Sequence, residues 1–83
     1  MRVKVAKGLK LEAVKRIVIK LGYGNVDVAT KRFYEKPIKE QLRFRNAFII
    51  KDYYNGATTS TLTSLYQVSE RTIQRIIARS RSY

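Results

Sequence analysis

Residues 59–81, TSTLTSLYQVSERTIQRIIARSR, constrain the fold more tightly than any other stretch of the chain. Leu62, Leu65 and Tyr66 fall at i, i+3 and i+4, which gives residues 60–67 one apolar helical face. Val68, Ser69 and Glu70 interrupt that pattern. Ser69 suits an N-cap, and Glu70 stands favourably against the dipole of a following helix. The periodicity resumes over 71–80, with Ile73, Ile76, Ile77 and Ser80 inward and Arg71, Gln74, Arg75, Ala78, Arg79 and Ser82 outward. Helix, short break and helix in this order predict a helix-turn-helix. The outer face of its second helix carries the side-chain types that bond guanine edges, adenine edges and phosphates. Taken alone, an amphipathic helix with outward arginines is usually an ordinary solvated surface. The pairing of the two helices and the charge of the whole chain favour a recognition helix.

That charge is large. Lys and Arg outnumber Asp and Glu by 18 to 6, a net +12 on 83 residues, which points to a polyanionic partner. No apolar run, Ile17-Val18-Ile19 included, approaches the roughly 18 residues that a membrane span needs. No apolar signal segment opens the chain, so the expected location is cytoplasmic. Cysteine and histidine are absent, which removes zinc fingers, disulfides and the usual general base. Neither a carboxylate pair nor an activated nucleophile is visible. The expectation is a non-enzyme with no cofactor, no metal and no small-molecule substrate. A chain of this length makes one small domain with a thin core, for which dimerisation is a natural supplement.

Upstream, residues 1–10 read as a basic arm, with a short edge strand over Val3 and Val5 as the other reading. Residues 11–21 form an amphipathic helix, with Leu11, Ala13, Val14, Ile17, Val18 and Leu21 inward and Glu12, Lys15, Arg16 and Lys20 outward. Gly22 is placed to end it. Residues 26–30 alternate with period two and carry β-branched side chains, which predicts one short strand. With no partner in its own chain, that strand is expected to pair with a second copy. Residues 31–36 read as a connection, and Pro37 opens a long helix over 38–54. Leu42, Ile49, Ile50 and Tyr53 make its main apolar stripe, and Phe44 and Phe48 a second one. The second stripe is expected to meet a partner subunit, the other reading being that it covers the N-terminal helix of the same chain. Asn55-Gly56 then closes the helix. Residues 1–10, 11–36 and 37–83 are thus expected to be the arm, the dimerisation region and the DNA-binding region.

The segment from Arg45 to Ile77 resembles the Mor transcription activator family. Ile50-Lys51-Asp52-Tyr53-Tyr54-Asn55-Gly56 is similar to the family's apolar-Asp-Phe-Asn-Gly helix end. Residues 61–77, TLTSLYQVSERTIQRII, are similar to its helix-turn-helix, Glu-Leu-Ala-x-x-Tyr-Gly-Leu-Ser-Glu-x-x-Ile-x-x-Ile-Ile. Gln67 stands where the family has the turn Gly, Thr63 where it has Ala, and Thr30 where its strand runs into Pro. The resemblance implies a homodimer built on N-terminal helices and paired strands, binding an imperfect dyad upstream of a phage promoter and recruiting RNA polymerase.

The resulting expectation is a mostly α chain: an N-terminal helix, one short intersubunit strand, and a long helix leading into a C-terminal helix-turn-helix. Its function is that of a sequence-specific regulator of transcription, an activator of phage or prophage type. Base contacts fall to Arg71, Gln74 and Arg75, and phosphate contacts to Thr59, Ser60, Ser69, Arg79 and Arg81. The dimer interface falls to Val26, Val28, Phe44 and Phe48. The partners are double-stranded DNA, a second copy and RNA polymerase, with no membrane. Two competing readings are an accessory factor of site-specific recombination and a non-specific basic nucleic-acid binder.

Overall fold

The computed structural model describes residues 8–81, which form five helices: α1 Leu11–Lys20, α2 Val26–Tyr34, α3 Ile38–Tyr54, α4 Thr59–Tyr66 and α5 Glu70–Ser80. The mostly α class holds, and no strand occurs among the described residues. The segment expected as a strand is the first half of α2. Asn25 caps it, accepting from the Val28 N–H at 3.1 Å. Asp27 in the first turn and Lys31 and Arg32 in the last complement the helix dipole. Five alternating residues fit either period. The helical one becomes visible only when Phe33 is included, because Val26, Ala29 and Phe33 then share a face.

Helix α1 buries Ala13, Val14, Ile17 and Val18. Leu11 and Leu21, expected inward, lie at its ends and remain exposed. Gly22 closes α1 as expected, with φ of 86°. Its N–H reaches the Ile19 carbonyl at 3.0 Å, and the Tyr23 N–H reaches Val18 at 3.4 Å.

Helix α3 is central, with Ile49, Gln41 and Asp52 buried. Its flanks hold Leu42, Phe44, Phe48, Ile50 and Tyr53, all half-buried against the core of the same chain. Phe44 meets Phe33 of α2 edge-on, with centroids 5.8 Å apart. The second apolar stripe of α3 is therefore partly covered from within its own chain, Phe44 by Phe33 of α2 and Phe48 by the common core.

Two polar devices fix the N-terminal layer to this helix. At the first, the Gln41 side chain accepts from the Leu9 N–H at 3.3 Å and donates to the carbonyls of Lys36 at 2.9 Å and Tyr34 at 3.4 Å. The Tyr34 hydroxyl donates to the Leu9 carbonyl at 2.7 Å, so residues 8–10 are docked. The rest of the expected arm, residues 1–7, lies outside the described residues.

At the second, Asp52, only 5% exposed, gathers α1, α3 and α4. Arg16 donates to its Oδ2 at 3.2 and 3.3 Å, and Lys20 meets Oδ1 at 3.1 Å. The Tyr66 hydroxyl donates to Oδ2, and the Arg16 guanidinium lies 5.7 Å over the Tyr66 ring. Arg16 and Lys20 were expected to face solvent. Burial pushes the Asp52 carboxyl up, but hydrogen bonds from Tyr66, Lys20 and Arg16 outweigh it and hold the group below its ordinary pKa. Burial, then the neighbouring carboxylate, pushes the Tyr66 phenol well above its usual value.

Candidate nucleic-acid interface

Helices α4 and α5 and the turn between them have the order that the sequence predicts. Thr58 caps α4 by accepting from the Thr61 N–H at 3.1 Å. Leu62 and Tyr66 anchor that helix in the core. Gln67 then adopts φ of 56° and ψ of 46°, the left-handed conformation expected where the resembling motif has Gly. A non-Gly residue there costs roughly a kcal/mol or more. Its own side chain offsets the cost: Nε2 donates to the Ser64 carbonyl at 2.7 Å, an acceptor that the end of α4 would leave unused. Ser69 caps α5, accepting from the Thr72 N–H at 3.2 Å.

Helix α5 buries Ile73, Ile76 and Ile77 against the core. Arg71, Gln74, Arg75 and Arg79 are all exposed on the other side, and Ala78 among them leaves the surface low. The three expected base readers thus share one exposed arc with Arg79. Arg81 lies just past the helix end, beside Tyr54 at the end of α3. Hydrogen bonding to Ser80 and Arg81 lowers the Tyr54 phenol's pKa, and the bond that Arg81 donates to Tyr54 raises that of the guanidinium. Arg81 thereby links the end of α5 to α3.

The expected phosphate hydroxyls divide. Ser60 is exposed at the start of α4. The Thr59 hydroxyl is already committed: it donates to Oε2 of Glu70 at 3.0 Å, which sets a carboxylate beside it. Ser69 Oγ is engaged by the Thr72 N–H and by the Thr72 hydroxyl at 3.0 Å. The spacing of residues 59 and 70 gives no sign of the Thr59–Glu70 bond in the sequence. It exists because the turn folds the starts of α4 and α5 together.

The expected dimer residues are also split. Val28 and Phe44 line one open groove of about 720 Å³ with Leu21, Tyr23 and Phe33. Val26 and Phe48 pack on the core, as Phe44 also does, but do not line that groove. The strand pairing that Val26 and Val28 were to provide is absent from the described residues, since both lie in the first turn of α2.

Among the described residues no group of His, Cys, Asp and Glu is arranged to hold a metal, and no helix is long and apolar enough to cross a membrane. Compared with known protein families, curated proteins and solved structures, the chain matches none.

Proposed function

We propose that the chain is a sequence-specific reader of double-stranded DNA that regulates transcription, with α5 as its recognition helix and no catalytic activity. The observation that carries this reading is the division of α5 into a buried isoleucine face and an exposed face of Arg71, Gln74, Arg75 and Arg79. Its setting supports the same reading: a helix-turn-helix whose turn residue is left-handed, in a chain of net charge +12. In this proposal Arg71, Gln74 and Arg75 reach base edges in the major groove. Ser60, Arg79 and Arg81 meet the phosphates flanking them.

A phage-type activator that recruits RNA polymerase is the finer proposal, and it rests on the Mor resemblance over Arg45–Ile77. The homodimer is proposed on different ground from the strand, which the fold replaces. One eleven-residue helix covers few base pairs, and two-fold symmetry doubles the reading on a dyad with half-sites roughly 34 Å apart. Val28 and Phe44, in one groove, remain the residues proposed for that contact.

The test is selection of duplexes from a random DNA library by the wild-type chain, followed by titration of the selected and scrambled duplexes. The expected result is a selected sequence bound at least a hundredfold more tightly than its scramble. A variant with Arg71, Gln74 and Arg75 all changed to Ala should lose that ratio. Equal binding of all duplexes by the wild type would leave only a non-specific basic protein.

A further inference from the structure

The face proposed to meet DNA holds one acidic residue, Glu70, the first residue of α5. The chain has only six acidic residues against eighteen basic ones, so a carboxylate at this place needs a reason. Helix-dipole stabilisation is one, but Glu70 is held by more than its helix. Thr59, at the start of α4, donates its hydroxyl hydrogen to Glu70 Oε2 at 3.0 Å. That bond fixes the direction of the carboxylate and leaves Oε1 to accept. The ion pairs among the described residues converge on Asp52, so neither Arg71 nor Arg75 neutralises Glu70.

We infer that Glu70 is a specificity residue, accepting a hydrogen bond from the exocyclic amino group of a cytosine in the major groove, with Thr59 as its positioning residue. The inference rests on the DNA-reading proposal above. Its chemistry follows from what a carboxylate meets there. Every phosphate repels it, so the group weakens binding unless a base supplies a donor. Cytosine N4 is the donor that Glu and Asp take up in the major groove. Position agrees, because the N-terminal residues of a recognition helix are those that approach base edges. Gln74 lies one turn further along the same edge of α5 and would read the neighbouring pair. An oriented carboxylate discriminates in both directions: it gains from an amino group and is repelled by the carbonyl or ring-nitrogen acceptors of the wrong bases.

The experiment selects duplexes from a random library with the wild type, Glu70→Ala, Glu70→Gln, Thr59→Val and Arg75→Ala, and then titrates the four base pairs at each selected position. Circular dichroism checks that each variant is folded. The expected result is that Glu70→Ala loses a roughly tenfold or larger preference for cytosine at one position and keeps the others. Glu70→Gln should shift that same position towards adenine. Thr59→Val should relax it partly, and Arg75→Ala should relax a different position.

Two results would overturn the inference while sparing the DNA-reading proposal. One is an unchanged base preference in Glu70→Ala with tighter binding to all duplexes, which makes the carboxylate a mere electrostatic brake. The other is an unchanged preference with lower thermal stability, which makes it a capping group. A wild type that selects nothing overturns the DNA-reading proposal itself, and this inference with it.

Discussion

The side-chain amide of Gln67 reaches back to the carbonyl of Ser64 at 2.7 Å, and so secures the left-handed backbone that it occupies. Two substitutions separate the strain from the bond. Gln67→Gly removes both, and the two effects, each roughly 1 kcal/mol, nearly cancel. Gln67→Ala keeps the strain and loses the bond, so it should lower stability by about 1 kcal/mol. For a domain of this size that is a fall of roughly 4–8 °C in Tm. Thermal melts of the two variants beside the wild type check the order, and a Gly variant less stable than the Ala variant would contradict it.

Helix α2 has its own test, because a cap and a strand respond differently. Asn25 accepts from the Val28 N–H, so Asn25→Ala should cost about 1 kcal/mol, and Asn25→Asp should retain most of the stability. A strand over the same residues would be indifferent to the loss of that side chain. Urea midpoints at unchanged m-value give the comparison.

The carboxylate of Asp52 sets an acid limit on the fold. Its pKa lies below the ordinary 3.8, so the folded chain takes up that proton less readily than the unfolded one. The stability it contributes is full above the unfolded value and drains away as the pH falls through the folded value. Melting temperature should therefore drop steeply below about pH 4. Asp52→Ala should cost about 3 kcal/mol at neutral pH, near the low end for a broken buried pair. Arg16 and Lys20 side chains are 33% and 30% exposed and regain water when released. The same variant should flatten the acid limb. At the other extreme the Tyr66 phenol, raised by burial, stays protonated longer in the folded chain than in the unfolded one. Stability should thus also decline as the pH rises past about 10.

Single changes on α5 should divide by role. Arg75→Ala or Gln74→Ala should cost about 1–3 kcal/mol on a selected duplex and relax one base pair. Arg79→Ala should weaken all duplexes alike and reduce the salt slope by about one. Sedimentation of the wild type, alone and on a dyad duplex, tests the second copy. A monomer that binds a single half-site as tightly as a full dyad would refute it.

The C-terminal half was legible because it follows local rules. The isoleucine spacing of α5 and the Ser69 cap are each written within a few residues, whereas the left-handed Gln67 follows only from the Gly that the resembling motif has there. Helix α2 was misread because a five-residue window over Val26–Thr30 satisfies two periods, and Phe33, which decides between them, sat in a segment read as a connection. The two flanks of α3 were read correctly as apolar. The covering of Phe44 by Phe33 depended on α2 existing, so one error produced the other. The Asp52 cluster was out of reach for a different reason: Arg16 is 36 residues away in sequence and Tyr66 is 14. A charged residue on a helix gives no local sign that a distant partner will bury it.

The meeting of Arg16, Lys20 and Tyr66 on Asp52 also decides how far this protein can be taken apart. A helix-turn-helix is often treated as a cassette, to be excised and fused to another chain. Here a fragment beginning at residue 37 would keep Asp52 and Tyr66 and lose both cations that neutralise the carboxylate. It would also strip Val14 and Ile17 from the core that they share with Leu62 and Ile49. Helices α4 and α5 share one core and one ion cluster with the N-terminal layer, and a chimaera that borrows α5 must borrow α1 with it.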